Sequence, residues 1–336
     1  MILVWMPVYN EALYLHKAIT SVLAQTHTDF VFIISDNHST DGSTEIIDEA
    51  CRQDPRVQKV SPPTHLKSTD HALFLYSEIF NKSDEYIYSI FIGGHDVWLP
   101  NLLECLINRA DADPNSAIVF TDSYKLDKKD NALQRYEGIV HVAEVPLALR
   151  PHYVLTGLTF NVVWGGLWRE SKRKMVPQRH RCSGADHLMV AEIALHGNLI
   201  YAPGSVVYLR DNSTAESGHD TYVKKHLPKH YQDNPILDFA LQLEWASYLI
   251  DKAASMDPFY QQDPIKSMLK SSLASAYICR YWNNLLGFDK GFETFFNNER
   301  VRQLMASANQ SNSILAELLQ ETIAAGATSA ASTPPV

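Results

Sequence analysis

The first half of the chain repeats one order of apolar run, polar turn and amphipathic helix. The apolar run at residues 2–5 is stopped by Pro7, and the run at residues 30–34 ends in an acid-rich turn. Apolar residues at helical spacing follow each turn. Two successive strand–turn–helix units predict an α/β fold with a mostly parallel sheet. Ligands of such sheets bind at the carboxyl ends of the strands, where both turns lie.

The same alternation predicts further elements as far as residue 209. The nearly continuous apolar run at residues 86–92 is typical of a central strand that is covered on both faces. Other predicted strands lie at residues 57–60, 117–120, 199–202 and 206–209, and other predicted helices lie around residues 70–80, after Pro100, and at residues 188–195 before Gly197.

The last third of the chain has a different pattern. Apolar residues recur at a period of 3.6 from residue 236, and further helical segments are predicted at residues 265–282 and 314–325. Residues 328–336 are mostly small or proline, which predicts disorder. We therefore expect a sheet-containing domain over residues 1–215, a helical extension over residues 216–327 and a disordered tail over residues 328–336.

Composition narrows the class of protein. Hydrophobic residues make up 46% of the chain and charged residues 20%, as in ordinary globular proteins. A net charge of −9 argues against a general affinity for nucleic acid or anionic membrane. The four cysteines are scattered, with no pair at metal-ligand spacing, which favours reduced thiols in a cytosolic protein.

No targeting segment is apparent. Met1 leads directly into the first predicted strand, which leaves no room for a signal peptide. No apolar stretch approaches the length of a membrane span. The sequence predicts a cytoplasmic protein with at most peripheral membrane contact.

The two polar turns carry a specific resemblance. The first contains Pro7, Tyr9, Asn10 and Glu11, and the second contains Asp36, Asn37, Ser39, Asp41, Gly42 and Ser43. Both turns, their spacing and the intervening residues 21–26 resemble the start of the family 2 glycosyltransferases of the GT-A fold. The resemblance covers about residues 2–209. It implies an inverting enzyme that moves a sugar from a nucleotide-sugar donor, with UDP as the expected nucleotide, to a hydroxyl acceptor on a glycan, a lipid-linked molecule or a small molecule.

The resemblance gives Asp36 a role in nucleotide binding. The matching aspartate of the family accepts the N3–H of uracil, while the turn from Pro7 to Tyr9 walls the base. The alternative is that Asp36, Ser39 and Asp41 cap the following helix, where Asp and Ser are favoured. Asp36 stands several residues ahead of that helix. This separation favours the nucleotide role for Asp36.

The sequence departs from the family after the central strand. The family commonly has Asp-x-Asp-Asp there, followed one helical turn later by a proline, which Pro100 provides. This chain has Gly93, Gly94, His95 and Asp96 instead. His95 and Asp96 are the candidate ligands of a divalent metal, Mn²⁺ rather than Mg²⁺ because imidazole suits Mn²⁺ better. The alternative is a metal-independent site in which cationic side chains stabilise the leaving diphosphate.

Two further residues match positions of the family. Asp186, at the start of a predicted helix, is the candidate general base, although the family's Glu-Asp pair is reduced here to Ala185 and Asp186. An aspartate that only caps the helix is the alternative. Arg210 matches a basic residue near the diphosphate. Glu11 and Gly94 complete the expected donor site.

Other motifs leave their alternatives open. The basic residues between Arg169 and Arg181 either bind a phosphate or are simply solvated. Trp164 and Trp168 either stack on a sugar or pack in the core. His219 could add a metal ligand, but nothing in the sequence ranks it above a surface histidine.

Two other functions compete with the enzyme. The altered residues 93–95 favour a nucleotide-binding protein that has lost catalysis and serves as a regulatory or scaffold subunit. A nucleotidyltransferase would require a glycine-rich phosphate loop near the amino terminus, and residues 9–11 provide none.

Overall fold

The structure is a computed structural model that describes residues 1–82, 84–136, 141–157, 162–176, 185–210 and 235–277. Two compact units divide the chain. The first comprises Met1–Glu144, Gly157–Arg179 and Glu192–Ala215, and the second comprises Val145–Thr156, His180–Ala191 and Glu216–Val336. Because the units alternate along the sequence, the expected boundary at residue 215 stays a prediction. The helix expected at residues 314–325, the tail, Arg179, Arg181 and His219 lie outside the described residues.

The described strands form one sheet in the first unit. They are β1 (Ile2–Val8), β2 (Phe30–Asp36), β3 (Val57–Val60), β4 (Tyr88–Phe91), β5 (Val97–Trp98), β6 (Ser116–Leu126), β7 (Ala132–Arg135), β8 (Leu167–Arg169) and β9 (Asn198–Arg210). Their spatial order is β3-β2-β1-β4-β8-β6-β9-β5, and β7 pairs with β6. This mixed α/β architecture confirms the predicted fold class.

The helices follow the predicted alternation with the strands. The first unit contains α1 (Ala12–Leu23), α2 (Ser43–Gln53), α3 (Ser68–Lys82), α4 (Leu102–Asp111) and the short α6 (Glu170–Arg173). A 3₁₀-helix (Leu147–Leu149), α5 (Arg150–Gly157) and α7 (Ala185–Ile193) begin in the second unit, which also contains α8 (Pro235–Ala254) and α9 (Asp263–Tyr277).

The parallel part of the sheet is the part that the sequence pattern predicts. β1 pairs in parallel with β2, where Val8 lies opposite Asp36, and with β4, where Trp5 lies opposite Phe91. Their carboxyl ends therefore meet at one edge. The antiparallel pairs involve β5, β7 and β8, which have only two to four residues each. Such short strands leave no readable period in the sequence.

One prediction about the sheet is wrong. Residues 199–202 and 206–209 are not two strands but parts of β9, which has 13 residues. The intervening Pro203 and Gly204 interrupt the apolar pattern, and Gly204 has a left-handed φ of 111°. Pairing with β6 nevertheless continues beyond a register shift at this point.

The core of the first unit lies between the sheet and its helices. Val4 and Met6 of β1 and Leu15, Val22 and Leu103 of the helices are completely buried. Burying such side chains stabilises the unit by about 1.5–3 kcal/mol each. The sheet edge that carries the turns is thereby held on a rigid support.

The second unit is helical where the structure describes it. α8 and α9 begin within two residues of their predicted starts and pack on each other. The carboxylate of Asp251 on α8 accepts a hydrogen bond from Lys270 Nζ of α9 at 2.7 Å. No helix in the described part of the chain combines the length and the apolar character that a membrane span requires.

Candidate active site

The topology of the first unit creates a crevice beside β1. The chain runs from β1 to β2 and β3 on one side and then crosses to β4 on the other side of β1. At such a switch point the loops diverge, and ligands bind between the carboxyl ends of the strands. The turns at residues 9–11, 36–43 and 92–96 follow β1, β2 and β4, so all three lie at this edge.

The turns after β1 and β2 are fixed to each other. Asn10 has a φ of 56°, a left-handed conformation that asparagine tolerates better than most residues. Four main-chain amides donate to side chains across the two turns: Asn10 to Ser39 at 3.1 Å, Glu11 to Ser43 at 2.9 Å, Ala12 to Asp41 at 3.0 Å and Thr40 to Asn10 at 2.8 Å. Asp41 and Ser43 therefore brace the starts of α1 and α2.

Asp36 is buried between these turns, with 3% of its surface exposed. Its carboxylate accepts hydrogen bonds from the amide of Ser39 at 3.0 Å and the hydroxyl of Thr44 at 2.6 Å. Burial by itself would raise the pKa of Asp36, but these hydrogen bonds outweigh it and lower the pKa. Since Thr44 lies in the first turn of α2, the separation in sequence does not exclude a structural role. The carboxylate has further acceptor capacity, and its contact with a base stays a prediction.

Tyr9 and Pro7 end β1 at the same edge. Pro7 lies opposite Ser35 in the strand pairing, and Tyr9 keeps 47% of its surface exposed. The Tyr9 ring lies 4.5 Å from the ring of His65, centroid to centroid. His65 belongs to the loop after β3, and no motif in the sequence singled it out.

The turn after β4 gathers charged groups. His95 Nδ1 lies 3.0 Å from a carboxylate oxygen of Glu11, and His95 Nε2 lies 3.9 Å from Asp96 Oδ1. The buried Asp96 accepts hydrogen bonds from the amides of Gly93 at 3.2 Å and Arg210 at 2.9 Å. The predicted site residues Glu11, His95 and Asp96 are thus brought together.

Burial acts on both titratable groups of this turn. It favours neutral imidazole, but the hydrogen bond to Glu11 and the charges of Asp96 and Glu11 outweigh it, so the pKa of His95 is raised. For Asp96, burial raises the pKa, and the charge of His95 and the two amide hydrogen bonds offset it only in part. The charge of this turn is therefore distributed over the side chains of His95, Asp96 and Glu11.

The glycines of this turn are explained by close approach. A Cβ atom at Gly93 would lie 2.6 Å from Asp96 Oδ2, and one at Gly94 would lie 3.1 Å from Cγ of Glu11. The family's aspartate at position 93 therefore does not fit with Asp96 as placed here. Gly94 lets the turn pack against Glu11, and its contact with a donor stays a prediction.

The residues fit a metal ion that a bound diphosphate also coordinates better than an ion that protein ligands hold alone. The Glu11 carboxylate accepts a hydrogen bond from Nδ1–H of His95, so the neutral imidazole has its lone pair on Nε2, near Asp96. A carboxylate behind an imidazole is the usual support of a metal-binding histidine. Among the described residues, however, no group of three His, Cys, Asp or Glu side chains could hold an ion. Two protein ligands suit an ion whose other ligands are diphosphate oxygens.

Arg210 is engaged within the protein. Its side chain is completely buried and donates to the carbonyls of His95 at 3.1 Å and Asp127 at 2.6 Å. It also pairs with Asp130 and lies 4.1 Å from the centre of the Tyr14 ring. These contacts tie the end of β9 to the turn after β4. A contact between Arg210 and a diphosphate stays a prediction, and it would require some of these bonds to open.

Asp186 is the second residue of α7, in the second unit. Its side chain is 39% exposed, and one carboxylate oxygen lies 3.3 Å from His187 Nδ1. An acid in the first turn also interacts favourably with the helix dipole, so both interpretations of Asp186 remain. Its role as a base stays a prediction.

Two described members of the basic run, Arg169 and Arg173, are structural. Arg169 donates to main-chain carbonyls of Ser116 and Ala110, and the buried Arg173 pairs with Glu170. The phosphate-binding interpretation has no support from these two side chains.

The two tryptophans differ in their environment. Trp168 is buried, and its indole N–H donates to the carbonyl of Trp164 at 3.0 Å. Trp164 is half-buried and lines a cavity of about 220 Å³. The walls of this cavity are mainly apolar, and they also include His95, Asp96 and Arg210. Packing explains Trp168, whereas Trp164 lines the cavity beside the turn after β4.

Gln25 is a functional support that only the structure explains. Its amide donates to the carbonyl of Leu99 at 2.7 Å and accepts from the amide of Leu103 at 3.0 Å. The hydroxyl of Ser21 accepts from the amide of Trp98 at 3.2 Å. The end of α1 thereby holds the chain that leaves the turn after β4.

Comparison with known proteins decides the family. The sequence model of "Glycosyl transferase family 2" matches residues 3–171, half of the chain. The chain belongs to the family 2 glycosyltransferases. The matched segment contains the turns after β1, β2 and β4.

Individual relatives agree with this family. An uncharacterised glycosyltransferase of Nostoc sp. is 34% identical over 99 residues, which are 30% of this chain and 29% of the relative. Glycosyltransferase GlyG of Streptococcus pneumoniae is 29% identical over 140 residues, 40% of this chain and 43% of the relative. The chain thus matches less than half the length of these curated relatives.

Solved structures support the GT-A fold. S. aureus TarS 1–349 in complex with UDP superposes with a TM-score of 0.55 at 14% identity, over 87% of this chain and 76% of that one. The same protein with UDP-GlcNAc gives a TM-score of 0.56 at 13% identity, with the same coverage. At this identity the likeness shows the fold.

Proposed function

We propose that this family 2 protein is an inverting glycosyltransferase that uses a UDP-linked sugar. The observation that carries the proposal is the convergence of three family-matched turns at the switch point, with the buried Asp36 between two of them. The lowered pKa of Asp36 keeps it ionised at neutral pH, as an acceptor for the N3–H of uracil requires. The UDP held by TarS, a protein of the same fold, supports the choice of nucleotide.

The reaction needs a base on one side of the sugar and a cation on the other. In a single displacement, the acceptor hydroxyl attacks the anomeric carbon while the bond to the diphosphate breaks. We assign to Asp186 the removal of the hydroxyl proton. Glu11 and Asp96 orient His95 at the diphosphate end, where negative charge develops in the transition state.

His95 and Asp96 would hold a divalent ion, Mn²⁺ in preference to Mg²⁺. Such an ion would neutralise the diphosphate as it leaves. We assign the sugar or part of the acceptor to the cavity beside this turn. Its volume of about 220 Å³ exceeds the roughly 150 Å³ that holds one benzene ring, so a single ring fits.

A second candidate function has one observation in its favour. Asp96 already accepts two main-chain hydrogen bonds, and residues 93–95 depart from the family's metal motif. A nucleotide-binding protein without catalysis would show these features. Release of UDP from a UDP-sugar by the purified chain would contradict the scaffold function, and binding of UDP without any turnover would support it.

Calorimetric titration with UDP tests the nucleotide site. The variant Asp36→Ala should weaken UDP binding about tenfold, the worth of one hydrogen bond to a charged group. Asp29→Ala, which removes an acid with a side chain 69% exposed at the start of β2, is the matched control and should bind UDP normally. Equal UDP affinity of Asp36→Ala and the wild type would remove Asp36 from the site.

The same titration in Mn²⁺ and in EDTA tests the metal. UDP should bind more tightly with Mn²⁺, and the difference should disappear in the double variant His95→Ala, Asp96→Asn. Full turnover of a UDP-sugar in EDTA would show that the site works without metal.

A further inference from the structure

We propose that Asn37 and His65 are positioning residues that orient Tyr9 for stacking on the nucleotide base. Asn37 fixes the loop between β3 and α3, this loop carries His65, and the His65 ring supports the Tyr9 ring. The inference rests on the proposed nucleotide site and extends it to a loop to which no function has been assigned.

The first link is the side chain of Asn37, which is 2% exposed. Its amide nitrogen donates to the carbonyl of Leu66 at 2.7 Å, and its amide oxygen accepts from the amide of Leu66 at 2.8 Å. Only an amide side chain donates and accepts at once in this geometry. The main-chain amide of Asn37 donates to the carbonyl of Val8 at 2.9 Å, which joins the turn after β2 to the end of β1.

The second link is His65. Its Nδ1 lies 3.0 Å from the carbonyl oxygen of Asn37, and since a carbonyl only accepts, Nδ1 carries the proton. His38, in the turn after β2, donates from Nε2 to the carbonyl of Pro62 at 2.9 Å. Pro62 lies at the start of the loop that carries His65. The loop is therefore held to the turn after β2 at both of its ends.

The third link is the contact between two rings. The centroids of His65 and Tyr9 are 4.5 Å apart, with an angle of 45° between the ring planes. Both side chains remain exposed, and Tyr9 retains 47% of its surface for a ligand. An exposed tyrosine without this support would lose rotamer freedom when a base stacks on it. The His65 ring restricts Tyr9 before binding and so reduces that cost.

A double-mutant cycle with UDP as the titrant tests the chain of contacts. His65→Ala should weaken UDP binding about three- to tenfold, as expected for the loss of one ring contact. In the background of Tyr9→Ala, the same change should have no further effect, because His65 acts through Tyr9. The surface variant His16→Ala is the matched control and should leave UDP affinity unchanged.

Asn37→Asp is the conservative variant for the first link. It keeps size and shape but replaces the donor with a carboxylate oxygen that faces the Leu66 carbonyl. Asn37→Asp should weaken UDP binding when it is introduced into the wild type but not when it is introduced into Tyr9→Ala. Thermal unfolding confirms that each variant is folded. Normal UDP affinity of His65→Ala, or the same loss in both backgrounds, would overturn this inference. Failure of the wild type to bind UDP would overturn the proposed nucleotide site together with it.

Discussion

The turn after β2 adjoins a buried histidine, His71, and the turn after β4 contains a half-buried one, His95. The pKa values of the two histidines shift in opposite directions. His71 is 3% exposed and is hydrogen-bonded to the Ser35 hydroxyl at 2.8 Å. Burial lowers its pKa to about 4, which the charge of Asp36 offsets only in part. His95 is half-buried, and the opposing effect of its neighbours Glu11 and Asp96 outweighs burial and raises its pKa.

The difference shows that partners, and not burial alone, decide the charge of these turns. The turn after β2 holds two carboxylates, Asp36 and Asp41, and both accept hydrogen bonds from main-chain amides and hydroxyls. The turn after β4 places an imidazole between two carboxylates. Carboxylates that are held by uncharged donors suit the recognition of a nucleobase, and a cluster of an imidazole with two carboxylates suits the leaving group of a sugar transfer.

The two turns also differ in their fidelity to the family. The turn after β2 keeps the family's residues, and each of those described above has a partner in the scaffold. The turn after β4 has lost two aspartates, and the close approach of Gly93 to Asp96 excludes the simple return of the first. The comparison therefore predicts that the turn after β2 binds the nucleobase and that the turn after β4 stabilises the charge of the diphosphate.

The largest expected effect concerns the proposed general base, Asp186, and not the two turns. In Asp186→Asn the side chain keeps its size but loses its basicity, so the release of UDP from a UDP-sugar should slow by about 10²–10⁴. UDP affinity, which depends on the turns, should stay normal. Calorimetry and a UDP-release assay on the same preparation measure the two effects.

His187→Asn is the control for this prediction, because His187 Nδ1 lies 3.3 Å from the Asp186 carboxylate. If His187→Asn abolishes turnover while Asp186→Asn has the wild-type rate, then Asp186 is only a helix-start acid and His187 becomes the candidate base.

The next effect is the pH dependence of stability that His71 contributes beside the turn after β2. His71 takes up a proton at about pH 6.5 when unfolded but only at about pH 4 when folded. The unfolded state therefore binds more protons in this range, and the stability contributed above pH 6.5 is lost as the pH falls. The loss amounts to on the order of 3 kcal/mol by pH 4.

Urea unfolding of the wild type and His71→Gln between pH 7 and pH 4 measures this loss. The variant has no titrating group at this position, so its free energy of unfolding should fall less steeply with acid. Parallel curves for the two proteins would show that His71 is not held neutral beneath the turn after β2.

The smallest of these effects concerns the backbone of the turn after β4. In Gly93→Ala the new Cβ would displace the Asp96 carboxylate, and overpacking of this kind costs about 1–3 kcal/mol of unfolding free energy. Gly165→Ala, whose Cβ would meet only a carbonyl at 3.7 Å, is the matched control. Equal stabilities of the two variants in urea would mean that the turn tolerates a side chain at position 93.

The sequence by itself determined the alternation of strands and helices, the family and the positions of three turns. Each depends on local signals: apolar runs for the buried strands, Pro7 as a strand end and Gly42 before α2. β1, β2, β3 and α2 accordingly lie where the pattern predicts them.

Only the tertiary structure decided which side chains meet. The contact of His95 with Glu11 spans 84 positions, the clamp of Gln25 on Leu99 spans 74, and the pairing of Asn37 with Leu66 spans 29. No period or propensity in a single sequence encodes such pairs, because they arise from the register of whole strands. The same holds for the buried side chain of Arg210, whose basic character suggested a ligand, whereas its contacts join β9 to the turn after β4.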